Sequence, residues 1–254
     1  MHIHLPALSG IILTYLLVFA RTGAMVMLLP GIGDTTVPSR VRLALGLGIA
    51  LALAPSLASL YPTSAPATSI ELGLLIMQEV TAGILVGTMA RIIMSSLQVA
   101  GYLIATQTGL AYAQTIDPTQ HEHGAVLGSF MSLLGVVLIF GTNLHHLAIA
   151  AISGSYKLLP PGGTLPTGDM AKLTVDLVAG AFALGFQLAA PFLVFGFAVY
   201  AALGVLARLM PQLQVFFLAM PINILCGFLI MMLLIGSIMT MFMTYYSDTM
   251  SMFL

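Results

Sequence analysis

The sequence predicts an all-α, membrane-type protein of about six hydrophobic, proline-kinked helical segments, and three observations predict it. Charged residues make up 6% of the chain against 59% hydrophobic residues, with a mean hydropathy of +1.09, whereas a soluble domain carries about 25% charge. From Leu177 to Ser247 a single formal charge occurs, Arg208, and roughly 20 apolar residues already cross a bilayer's hydrocarbon core. The long apolar runs are punctuated by Pro191, Pro211 and Pro221. Each removes a backbone donor and crowds the preceding turn, so kinks or breaks are expected there.

The composition also excludes functions. Seven Lys and Arg are scattered over 254 residues, so no basic patch for nucleic acid exists. The one cysteine, Cys226, rules out an intrachain disulfide. No tryptophan is present to form the usual part of an interfacial belt.

Taken in order, the N-terminus MHIHLPALSG has no cation before the apolar run Ile11 to Ala20. That predicts a retained first segment with its N-terminus outward, because a cleavable signal begins with a basic region. Arg21, Arg40 and Arg42 follow, with Pro30, Gly31, Gly33 and Asp34 as a turn-rich connection. A helical run from Val41 to Leu53 is expected to end before Pro55, and Tyr61 to Ser69 reads as a loop. Leu72 to Ala90 is a third apolar run, with Gln78 and Glu79 inside it. Its Gly83 and Gly87 form a small-xxx-small pair that would admit a neighbouring helix.

Beyond Ala90, polar groups recur at helical spacing: Arg91, Ser95, Gln98, Tyr102 and Thr106. At about 100° per residue they make one stripe, which either lines water or bonds to other helices. The helix is expected to fade near Gly109, before a polar loop, AYAQTIDPTQHEHG, with Asp117-Pro118 as its turn. A fourth apolar segment runs from near Gly128 to Phe140 and resumes after Asn143, His145 and His146. A Pro/Gly-rich loop, Gly154 to Gly168, leads to Asp169 as an N-cap of the next long helix. The junction ARLMPQLQVFF then sets Arg208, Gln212 and Gln214 beside a helix break at Pro211. Seven of the 17 methionines fall between Met231 and Met252, as gap fillers or as a deformable seal. Counting alternate loops, Arg21, Arg40, Arg42, Arg91 and Arg208 stand against Lys157 and Lys172, which points both termini outward.

No constellation suggests catalysis. His121, Glu122 and His123 lack the spacing that puts two metal ligands on one helical turn, and a solvated loop is the better reading. Ser155 has no His and Asp at a recognisable spacing. Neither a metal, a cofactor nor an enzymatic activity is expected.

Arg21; Pro38 with Arg40 and Arg42; Glu79 with its glycines; Gly101, Gln107 and Gly109 before Asp117-Pro118; His145 or His146 ahead of Ser155 and Pro160; Leu188 to Pro191; Arg208; Pro211-Gln212; and Pro221 occur in that order over nearly the whole chain. In this the chain resembles the FliR/SctT-like export-gate family of flagellar and virulence-associated type III secretion. Gln214 departs from it, standing where asparagine would be expected. The resemblance implies a single export-gate domain over residues 1–254 in the bacterial inner membrane, at the flagellar basal body. It implies assembly with FliP and FliQ, a neighbouring FlhB, contact with membrane lipid, and unfolded flagellar proteins as the passing substrates. The loop carrying Ala111, Tyr112, Gln114, Asp117, Pro118, His121, Glu122 and His123 would be the channel plug. Glu79, Pro191, Arg208, Pro211, Gln212 and Pro221 would be assembly or kink positions. The competing reading is a stand-alone small-solute transporter or channel, which would show inverted repeats and a polar site at mid-membrane.

Overall fold

A computed structural model describes residues 5–61, 68–111, 126–163, 165–212 and 215–254, and every regular element among them is helical. The helices are α1 (Leu5–Val26), α2 (Ser39–Leu57, extended by a 3-10 turn at Ala58–Leu60), α3 (Ser69–Gln107), α4 (Val126–Gly141), α5 (Leu144–Leu158), α6 (Thr167–Leu209) and α7 (Val215–Ser251). Four of them, α2, α3, α6 and α7, are long and apolar enough to cross a membrane, or up to five spans if the broken pair α4 and α5 counts as one. The expected number, about six, was approximate.

The apolar run from Leu72 and the polar stripe from Arg91 belong to one helix, α3, of 39 residues. More than half of its most apolar window, 56%, is buried within the chain, against 17–22% for α2, α6 and α7. Of these four helices α3 is thus the one whose apolar surface is most used within the chain. The chain forms two compact units, and α3 contributes to both: Met1–Ile92, Phe140–Leu177 and Tyr246–Leu254 form one, and Ile93–Ile139 with Val178–Tyr245 the other.

In the first unit α1 packs on α2 and α5, and the first part of α3 joins them through small residues. A Cβ on Gly83 would run into the Arg21 carbonyl of α1, and one on Gly87 would meet Leu28 Cβ at 2.7 Å. Without a hydrophobic drive inside lipid, helices associate where small side chains let backbones approach. The second unit uses the same device around the remainder of α3. Gly101 faces the Gly128 backbone of α4, Gly185 and Gly196 of α6 face Val99 and Gln107, and Gly227 of α7 faces Thr108. Ile93, Leu97, Ala100 and Ile104 are thereby almost wholly buried.

Several local expectations are corrected. α2 runs through Pro55 to Leu57. A proline two residues from the end of the helix withholds a donor from one carbonyl only, that of Leu51, and nearby Ser56 Oγ donates to the Leu53 carbonyl at 2.8 Å. Pro191 and Pro221 lie inside α6 and α7, whereas the chain breaks at Pro211, between them. Pro191 is exposed while Leu188, Ala189 and Phe192 are buried, so it sits on the outward side of α6. α6 begins at Thr167, so Asp169 lies in its first turn rather than capping it. There the carboxylate still faces the positive end of the helix dipole. Between α4 and α5, Asn143 takes a left-handed φ of 62°, a conformation asparagine tolerates better than most residues.

Candidate functional site

The outward face of α3 changes character along its length. Ile70, Leu74, Met77 and Ile84 are exposed and apolar, and at the same helical period Arg91, Gln98 and Tyr102 are exposed and polar, with Ser95 and Thr106 half-buried. All five stripe residues therefore lie on one outward face, opposite the buried Ile93, Leu97 and Ala100. Thr106 Oγ1 donates to the Leu103 carbonyl at 2.7 Å, so its hydroxyl is turned back on the helix. Arg91 is anchored, its Nε donating to the Leu28 carbonyl at 3.0 Å and its Nη2 to the Gly33 carbonyl at 3.2 Å.

α3 stops where the sequence said it would. Thr108 Oγ1 returns to the Ile104 carbonyl at 2.9 Å, and Gly109 adopts a φ of 79°, the left-handed turn that closes many helices. Asn223 Nδ2 of α7 holds this end by donating to the Gln107 carbonyl at 3.1 Å. Of the loop residues, Ala111 is half-buried, whereas Tyr112, Gln114, Asp117, Pro118, His121, Glu122 and His123 lie outside the described residues. The two ends of that loop are described. Leu110 and Val126 border an apolar cavity of about 400 Å³, lined further by Phe130, Phe228, Met231 and Met232. Unbranched thioether side chains repack at little cost, so these walls can deform.

A polar cluster in the first unit is a separate matter. Arg21 of α1 is 3% exposed and Glu79 of α3 is 1% exposed. Arg21 Nε donates to Glu79 Oε2 at 2.7 Å and Nη2 to Oε1 at 3.1 Å, a two-pronged charge-assisted pair. Two more donors are also used: Nη2 reaches the Leu159 carbonyl at 2.8 Å, and Nη1 reaches Ser155 Oγ at 3.2 Å. The guanidinium carbon lies 3.8 Å from the Tyr156 ring centre, a cation-π contact. Tyr61 Oη donates to Glu79 Oε2 at 3.0 Å, and the two phenol oxygens of Tyr61 and Tyr156 are 3.2 Å apart. A phenol has one proton, so Tyr156 is the donor in that last contact. Burial, with the neighbouring phenol and carboxylate, pushes the Tyr61 hydroxyl far above the usual tyrosine range, which keeps it a donor.

Sequence reasoning placed Glu79 among assembly positions and Arg21 among loop cations; instead Arg21 lies inside α1 and meets Glu79 within the chain. Arg91 likewise lies inside α3, and Arg40, Arg42 and Arg208 stand in the end turns of α2 and α6, so none of the five cations counted as loop charges lies in a loop. The overlooked signal was available: two opposite charges, each isolated within apolar sequence, in a chain with so few. Ser155, weighed as a nucleophile, donates to the Ile152 carbonyl at 2.7 Å and accepts from Arg21, which makes it part of this cluster.

The other positions are placed as follows. Arg208 ends α6, and it, Pro211 and Gln212 are exposed, as is Pro221 in α7. His145 stacks on Phe140 with ring centres 5.0 Å apart and lies 4.1 Å from the His146 ring. Among the described residues no three His, Cys, Asp or Glu side chains gather as metal ligands would.

Comparison with known proteins places these features in context. The family model described as bacterial export proteins, family 1, matches residues 12–249. The chain is similar to the flagellar biosynthetic protein FliR of Caulobacter vibrioides, 40% identical over 93% of this chain and 94% of that one. It is 27% identical to the FliR of Bacillus subtilis over 92% and 91% of the two chains. It is 28% identical to the Yop proteins translocation protein T of Yersinia pestis over 84% and 82%.

Proposed function

We propose, from the premise that this chain belongs to the bacterial export proteins of family 1 and is a membrane component of a flagellar type III protein-export apparatus, that it supplies part of the wall and part of the closure of the export channel. The observation that carries this reading is the outward face of α3, apolar at Ile70 to Ile84 and polar at Arg91, Gln98 and Tyr102. The apolar part suits a neighbouring helix or lipid. Beyond Arg91, which is held at its edge by the Leu28 and Gly33 carbonyls, the polar part suits a lumen that an unfolded chain can traverse, since the Gln98 amide and the Tyr102 phenol hydrate a passing segment without trapping it by charge.

On this reading residues 1–254 act as one export-gate domain, joined by FliP and FliQ and bordered by FlhB, in the inner membrane at the flagellar basal body. The loop from Ala111 to His123 is the plug. It follows directly from the polar face, and the deformable cavity at its two ends gives a moving closure yielding walls. Arg208, Pro211 and Gln212, exposed where α6 gives way to α7, are contacts to neighbouring subunits. An exposed arginine beside apolar sequence is costly in hydrocarbon, roughly 2.5–3.5 kcal/mol on insertion scales, and calls for a polar partner.

Deletion of Gln114 to Glu122 tests the closure. The expected result is an assembled complex whose membrane leaks small solutes, measured as conductance in planar bilayers or as osmotic sensitivity of cells. Unchanged conductance with an intact complex would refute the plug.

A further inference from the structure

In the connection between α1 and α2, two cations converge on one backbone oxygen. Arg42 Nη1 donates to the Gly33 carbonyl at 3.3 Å, and Arg91 Nη2 donates to the same atom at 3.2 Å. A neutral carbonyl can accept both bonds, but it cannot balance two guanidinium charges. Both groups retain unused donors. Arg42 Nη2 reaches Ser39 Oγ at 3.3 Å, while its Nε is buried with no partner. The nearby acid, Asp34, accepts from the Gly31 N–H at 3.0 Å and forms no ion pair with either arginine among the described residues. α2 starts here too, at Ser39, with no side-chain cap on its first turn and with Arg40 exposed beside it. Uncapped N–H groups at a helix start add positive potential to that of the arginines. The arrangement concentrates positive charge, with donors to spare, at one place on the first unit.

The surrounding surface indicates which anion. Arg91 stands about 33 Å along α3 from Ser69 at 1.5 Å per residue, close to the ~30 Å of a bilayer's hydrocarbon core. Between those points the outward face of α3 is apolar, at Leu74, Met77 and Ile84. On α2, Val41, Leu43 and Leu51 are exposed beside the arginines. Cationic groups at the rim of an apolar band one bilayer deep lie at the level of lipid headgroups.

We infer that Arg42, Arg91 and the open start of α2 bind the phosphate of an anionic phospholipid, fixing the first unit of this chain at the membrane boundary. The inference goes beyond the gate reading and stands whether or not the loop is a plug.

The test is to purify the complete export complex in mild detergent, count retained phosphatidylglycerol by native mass spectrometry, and then add lipid back after delipidation. Each arginine near a membrane surface contributes about fivefold in affinity, so Arg42→Gln with Arg91→Gln should lower phosphatidylglycerol retention on the order of 30-fold. Because those substitutions also free the Gly33 carbonyl, Ser39→Asp is the second variant. It sets a carboxylate at the favourable end of α2, within reach of Arg42, and should lower retention while leaving thermal stability unchanged or raised. Inorganic phosphate binding as tightly as phosphatidylglycerol would overturn the lipid source. Equal retention in all variants would overturn the site. Loss of a protein subunit in place of lipid would assign the anion to a partner's carboxylate and overturn the inference.

Discussion

Removing the carboxylate of Glu79 should be among the most damaging single changes in this chain. Glu79→Gln preserves size but leaves Arg21, 3% exposed, with no counter-charge. Of the acceptors around Arg21, the two carboxylate oxygens at 2.7 and 3.1 Å carry the charge, while the Leu159 carbonyl and Ser155 Oγ supply dipoles only. The amide that replaces them offers one acceptor and turns an N–H₂ toward either the guanidinium or the Tyr61 hydroxyl. Breaking a buried ion pair in this way costs about 3–5 kcal/mol, a fall of roughly 10 °C in Tm for a chain of this size. The same reasoning predicts rescue. Arg21→Met combined with Glu79→Leu removes both charges and should lie within about 1 kcal/mol of the parent, since apolar replacement of a whole buried pair is commonly neutral. Far-ultraviolet circular dichroism of the detergent-solubilised protein during heating measures both variants, and swimming motility reports whether the rescued chain still assembles. A double variant no more stable than Glu79→Gln would refute the claim that the pair acts as a unit.

Three further outcomes follow from the packing and the exposed cations. Tyr61→Phe removes the neutral donor to Glu79 and should cost about 1.5 kcal/mol in the same melting assay, far less than Glu79→Gln. Gly101→Val pushes a β-carbon into the Gly128 backbone and should destabilise by about 1–3 kcal/mol, read as faster proteolysis of the second unit, whereas Gly48→Ala, with open space around it, should not. On the proposed assembly with FliP, Arg208→Glu should reduce the FliP retained with this chain on affinity purification by about tenfold or more; Arg208→Lys should largely restore it, and full retention with glutamate would remove Arg208 from the proposed assembly contacts.

The sequence disclosed what depends on neighbours along the chain. Apolar runs located α3, α6 and α7, the period of Arg91, Ser95, Gln98, Tyr102 and Thr106 gave one face of one helix, and Gly109 marked its end. Local rules failed where tertiary context could absorb a defect. Pro55 did not end α2, since two residues from the helix end it withholds a single bond, whereas Pro191, at an expected kink or break, lies inside an unbroken α6. The pairing of Arg21 with Glu79 was hidden for another reason. The partners are 58 residues apart, and no periodicity or spacing links residues brought together only by α1 packing against α3. Likewise Ser155 and Tyr156 look unremarkable until α5 carries them to the same guanidinium.

The thin burial of α2, α6 and α7, about a fifth of each apolar window, has a consequence for the life of the molecule before assembly. A newly made copy conceals little of its oily surface by itself, so it is a natural client for chaperones and quality-control proteases until its companions arrive. Cells that make this protein out of proportion to its companions should therefore degrade the surplus, and abundance would be set by the scarcest member of the set.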